Sequence, residues 1–120
     1  MKAALSIMIA GSLAASSAWS EPVILADYLS SVDRTEVQFS GAIRFNRRES
    51  DFTFYDEDRN QFGAMIDAGR DMRERVEQEC EVSGMMFSYA DLCTVSGEGT
   101  IEIRGSRIFI SIEQIDHLAK

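Results

Sequence analysis

Histidine, proline and tryptophan are nearly missing from these 120 residues, with one of each set against 20 acidic and 12 basic side chains. A lone histidine, His117, has no second imidazole to share a metal with. No Ser/His/Asp or Cys/His set assembles around it at a spacing that nucleophilic chemistry requires. His117 therefore reads as a solvated surface residue, and the chain as non-catalytic, with no metal and no cofactor. Cysteine is scarce as well: Cys80 and Cys93 are the only two, and their separation is not the Cys-x-x-Cys of a redox pair. Positive charge is in short supply, and the formal net charge of −8 sets up a field that repels polyphosphate backbones, which argues against nucleic-acid partners. Long apolar runs are absent too. The stretch from Ala3 to Ala15 turns polar near Ser16, short of the ~20 apolar residues a membrane-spanning helix needs.

That stretch has another meaning. Lys2 supplies a basic start, the small and apolar residues follow, and Ala18 and Ser20 place small side chains three and one positions before Glu21. The pattern is that of a cleavable signal peptide over residues 1–20, cut after Ser20, with a cut after Ala18 as the alternative. No cysteine stands near the cleavage point to take a lipid, so no permanent membrane anchor is expected. The chain from Glu21 onward then has 11 basic and 20 acidic side chains, a formal charge of −9, and belongs in the periplasm or outside the cell. In an oxidising compartment an isolated pair of cysteines argues for one structural disulfide, Cys80–Cys93. Closing that loop contributes on the order of 3 kcal/mol in the chain-entropy description, a large share for so small a domain.

Residues 21–120 read as a single domain. Leu25, Tyr28, Leu29 and Val32 recur at the spacing of one face of a short helix. From Glu36 the period drops to two, with Val37, Phe39, Gly41, Ile43 and Phe45 on one face, which predicts a long half-buried strand that bends at Gly41. Phe52 and Phe54 alternate in a second strand, and Phe62, Ala64 and Ile66 in a third, with polar turns between. Met72, Val76 and Cys80 form the narrow apolar stripe of a helix, with Asp71 as its cap and Glu74 completing a capping box. A short repeat follows: Cys80-Glu81-Val82-Ser83-Gly84 is echoed by Cys93-Thr94-Val95-Ser96-Gly97. The second copy leads into clean alternation through Ile103 and is preferred as the fourth strand. Met85-Met86-Phe87, apolar in a row, reads as a packed connection. Arg104-Gly105-Ser106 is a hairpin turn, and Ile108, Ile110 and Ile112 alternate in a fifth strand that ends or bulges near Glu113, where Ile115 falls out of phase.

The order is a short N-terminal helix, three strands, a helix, then two strands, with glycines inside the first and fourth strands. It predicts an all-β domain, a five-stranded OB-fold barrel with one helix between strands three and four. On the strength of Val37-Gln38-Phe39-Ser40-Gly41, Phe52-Thr53-Phe54-Tyr55-Asp56 and the closing segment from Ile108 to Ile115, the chain resembles the small exported bacterial OB-fold proteins from about Leu25 to Leu118. The resemblance implies that fold and a periplasmic setting, with ligand binding or a role in envelope stress. It carries over no catalytic residue. The Cys80/Cys93 pair and the long connection from Glu81 to Leu92 depart from the simplest members.

Two features invite a site. Asp56, Asp58 and Asn60 fit the first, third and fifth places of a calcium loop, but Gln61 stands where glycine is required and Asp67 where a bidentate Glu would be, so these residues read as a turn. The arginines are more informative. OB barrels bind on the face of strands two and three, between the loops joining strands one to two and four to five. Arg44, Arg47 and Arg48 fall at the first loop and Arg104 and Arg107 at the second, with Tyr55 and Met65 available as a platform between them. Guanidinium forks suit carboxylate or phosphate. The expectation is a binding module for a small anionic ligand at Arg44, Arg47, Arg48, Tyr55, Arg104 and Arg107. The alternative is an accessory partner of a cell-envelope complex that docks through Met85-Met86-Phe87.

Overall fold

Alternating apolar side chains on five segments close one barrel. The computed structural model describes residues 21–120; the signal peptide expected over residues 1–20, with its cleavage point, falls outside the described residues. The elements are α1 (Leu25–Val32), β1 (Glu36–Asn46), β2 (Asp51–Asp56), β3 (Gln61–Ile66), α2 (Arg70–Glu79), β4 (Cys93–Arg104) and β5 (Arg107–Ala119), with one 3-10 turn at Tyr89–Asp91. The strands close in the order β1-β2-β3-β5-β4, all neighbours antiparallel except the parallel β3/β5 pair. No helix among the described residues is long and apolar enough to cross a membrane.

Closure depends on β1 serving two neighbours. Its first part, Glu36 to Ile43, pairs with β4, and its second, Gly41 to Asn46, pairs with β2. The inward residues Ile43, Phe45, Phe52, Phe54, Ala64, Val95, Ile110 and Ile112 form the core, and Val76 of α2 plugs it at full burial. Aromatic rings interlock across strands, with Phe45 and Phe52 at 4.9 Å and Phe39 edge-on to Phe54 at 5.3 Å. Such pairs add about 0.5–1.5 kcal/mol beyond the area they bury. Cys80 and Cys93, both buried in this core, are bonded with their Cα atoms 5.4 Å apart. The bond ties the end of α2 to the start of β4, and the second copy of the repeat is indeed the fourth strand.

Two expectations need correction, and a third resolves to one of its alternatives. Asp71 does not cap α2: the helix starts at Arg70 after Gly69, whose φ of +96° turns the chain out of β3, and Asp71 lies in the first turn. There its charge still favours the positive end of the helix dipole. Of the two outcomes expected near Glu113 the strand takes the bulge, and it runs on to Ala119. The β4/β5 pairing shifts register between Ser96 and Gly97 and between Glu98 and Gly99, so Glu113 and Asp116 are skipped and Ile115 returns to phase. The C-terminus is thus paired, with Leu118 buried. Met85 and Met86 are not packed at all: they are 93% and 96% exposed, and only Phe87 of the trio is seated.

A second, smaller cluster explains that division. The connection from Glu81 to Leu92 folds over the outer face of β1 and β2 and buries Ala42, Tyr55 and Leu92, with Val82, Phe87 and Tyr89 packed around them. Arg44 holds the connection by donating from Nε to the Val82 carbonyl and from Nη2 to the Gly84 carbonyl, both at 2.6 Å, with its guanidinium 4.4 Å above the Phe87 ring. The Tyr89 hydroxyl donates to the Asp56 carbonyl at 3.2 Å. Gly84, at φ +93°, turns the chain outward. The connection re-enters at Phe87, which leaves the two methionines spanning the tip.

Candidate functional site

Strand alternation decides what faces outward. Since Phe52, Ala64 and Ile110 point into the core, the row Thr53, Gly63, Phe109 and Glu102, matched residue to residue across β2, β3, β5 and β4, lies on the outer face. Gly63 is required there, because a β-carbon would fall on the Phe109 ring that lies across it. The ring lies close over β3 and has two cations beside it. The guanidinium carbons of Arg104 and Arg107 stand 4.9 and 5.0 Å from its centroid. These arginines are directly opposite each other at the end of the β4/β5 hairpin. Arg104 Nη2 donates to Glu102 Oε1 at 3.1 Å and approaches Met65 Sδ at 3.0 Å. Arg107 makes no ion pair among the described residues. Beside it opens a hollow of about 320 Å³, lined by Asp51, Thr53, Gln61, Gly63, Arg107 and Phe109 among others.

The other predicted arginines go elsewhere. Arg44 is spent on the Glu81–Leu92 connection. Arg47 donates to Glu81 Oε1 at 3.0 Å and lies over Phe45, and this hydrogen bond, with the guanidinium charge behind it, holds the Glu81 carboxyl below its ordinary range. Arg48 borders a separate hollow of about 400 Å³ shared with Arg44, Tyr55, Met85 and Phe87. Gln61 lines both hollows. Tyr55 is not an open platform: it is buried edge-on against Phe87 and Tyr89. The five arginines therefore do not converge on one mouth. Phe109, the centre of the arrangement that does form, escaped the sequence reading. Its signal was present in the Arg107/Phe109 spacing, which puts both on the face opposite Ile108 and Ile110.

The Asp56–Asn60 segment is a turn ordered by the Asp56 carboxylate, both of whose oxygens accept from within the turn. Asp56 Oδ1 accepts from the backbone N–H groups of Asp58 and Asn60 at 2.9 and 2.8 Å, and Oδ2 from Asn60 Nδ2 at 2.9 Å. The Asn60 side-chain amide, then its backbone N–H, hold the Asp56 carboxyl below the ordinary value of 3.8. A carboxyl depressed in the folded state adds stability that is present above the unfolded pKa and is lost as pH falls through the lower folded value. Asp56→Ala is accordingly expected to lower the melting temperature at neutral pH, with the gap from the wild type closing in acid below the usual carboxylate range. Paired melts over a pH series check this; a gap that persists in acid would show that the charge is not what orders the turn.

No family model, curated protein or solved structure matches the chain. What it can do chemically has to come from the barrel's own surface. The outer face offers a ring-mounted pair of guanidiniums, only one of them neutralised, above a shallow hollow.

Proposed function

We propose that this is an exported, non-catalytic OB-fold module that binds a small anionic ligand on the outer face of β2, β3 and β5. The strand order, the parallel β3/β5 pair and the position of α2 between β3 and β4 support the OB reading, and in such barrels this face is where ligands bind. One observation carries the binding assignment: Arg104 and Arg107 stack on the same Phe109 ring. Stacking fixes each planar guanidinium in advance while leaving N–H edges free to grip a carboxylate or phosphate, so little side-chain entropy is lost on binding. The −9 domain repels long polyanions, whereas a small anion can enter a local basin.

Thermal shift with inorganic phosphate and with glucuronate tests this. Either anion is expected to raise the melting temperature at low salt, and the gain to shrink as the Debye length contracts to about 8 Å in physiological salt. Arg104→Glu with Arg107→Glu is expected to abolish the gain, since two charge-assisted hydrogen bonds at about 1.5–3 kcal/mol each account for most of a weak affinity. Arg47→Glu, which loses an exposed pair worth about 0.5 kcal/mol and a cation–ring contact with Phe45, both away from Phe109, should bind like the wild type. Equal stabilisation of the wild type and the double variant would remove the site.

A second reading, an accessory partner of an envelope complex, is favoured by the near-complete exposure of Met85 and Met86. If neither anion stabilises the wild type, that reading takes precedence.

A further inference from the structure

The Met85-Met86 tip is used neither by the barrel nor by the Phe109 face. Four methionines lie among the described residues, in three different environments. Met72 packs against the core, and Met65 has the Arg104 guanidinium at its sulfur. Met85 and Met86 are 93% and 96% exposed, with nothing over their thioethers. This exposure is built in. Arg44 pins the carbonyls of Val82 and Gly84 on one side, Phe87 is seated against Tyr55 on the other, and the Cys80–Cys93 bond anchors the whole connection. The tip thus presents two soft nucleophilic sulfurs on a fixed support, and no core contact depends on them.

We propose that Met85 and Met86 form a methionine-oxidation site whose substrate is a peroxide. The sulfur lone pair attacks a peroxide oxygen, the O–O bond breaks and an S–O bond forms. The thioether is oxidised by two electrons to the sulfoxide, and the peroxide is reduced to water, or to an alcohol if it is organic. Each event replaces an apolar sulfur with a strong hydrogen-bond acceptor, so the tip passes from apolar to polar while the barrel is unchanged. Arg48, which makes no ion pair among the described residues, lines the same hollow as Met85. The change is reversible by sulfoxide reductases, one for each epimer, which makes the tip a switchable contact surface.

The test is a hydrogen peroxide time course on the folded protein, quenched and mapped by tryptic peptides. Met65, Met72 and the Met85/Met86 pair fall on separate peptides, because Arg59, Arg70, Arg73, Arg75 and Arg104 divide them. The tip methionines are expected to oxidise about tenfold faster than Met65 and Met72, in line with their exposure. The tip-oxidised protein is expected to keep the wild-type melting temperature and to elute earlier from a hydrophobic-interaction column. Met85→Leu with Met86→Leu should lose the fast phase. Oxidation of Met65 or Met72 at the tip's rate in the folded protein would overturn the proposal, as would a drop in melting temperature on tip oxidation or an unchanged elution.

Discussion

Replacing Gly41 by valine is expected to cost about 3 kcal/mol, which for a domain of this size lowers the melting temperature by roughly 10–25 °C. Gly41 is where β1 passes from one neighbour to the other, since it pairs with Val95 of β4 and with Asp56 of β2. The strand coils so tightly there that a β-carbon would land on the Tyr55 carbonyl oxygen and come 2.9 Å from the Phe54 ring. The first of these obstacles is backbone and cannot rotate away. Relief requires β1 and β2 to separate, which opens the barrel at its seam. The exposed neighbour Ser40, changed to alanine, should stay within about 0.5 kcal/mol of the wild type. Melts followed by circular dichroism decide the matter, with Gly41→Ala as the milder step should the valine variant not fold. A Gly41→Ala protein melting with the wild type would mean the seam has slack that the backbone geometry denies.

Loss of the Cys80–Cys93 bond is the other large effect. The two cysteines are 13 positions apart in the chain, and closing a loop of that length restricts the unfolded chain by about 3 kcal/mol. The native state loses packing as well, because both sulfurs are buried among Ile43, Val76 and Val95, and alanine at each site leaves a void. Cys80→Ala with Cys93→Ala is thus expected to lose about 3–5 kcal/mol, a fifth or more of the 5–15 kcal/mol that holds a typical domain together. The loss should be uneven. The connection from Glu81 to Leu92 would then be held chiefly by Arg44 and the Tyr55 cluster, so limited proteolysis should cut it first, near Phe87 and Tyr89. A double variant as stable as the oxidised wild type would show that α2 and β4 need no covalent tie.

Both substitutions fall at positions the chain itself announced. Gly41 and the cysteines were legible because each belongs to a local or counted pattern: a glycine breaking a period-two run, and a pair of thiols with no other partner. The strand bounds followed from the same alternation, which is a property of the backbone and needs no distant contact. The extension of β5 to Ala119 was half legible. Ile115 out of phase signals a bulge, but only the register against Gly97 and Gly99 shows that pairing resumes beyond it.

The arginines went the other way. Their positions at strand ends were visible, while their partners were not, since Arg44 reaches carbonyls 38 and 40 residues away and Arg47 a carboxylate 34 residues away. No periodicity encodes such pairings; they exist only once the connection has folded back over β1 and β2. Closure likewise laid Phe109 across Gly63 and brought Arg104 and Arg107 onto it. Composition and alternation, which act within a few residues, determined the strands, the helical stripe of α2 and the disulfide. The parallel β3/β5 contact, the division of the arginines and the bare methionine tip were decided by tertiary structure, because each depends on which distant surfaces the closed barrel leaves in contact and which it leaves to solvent.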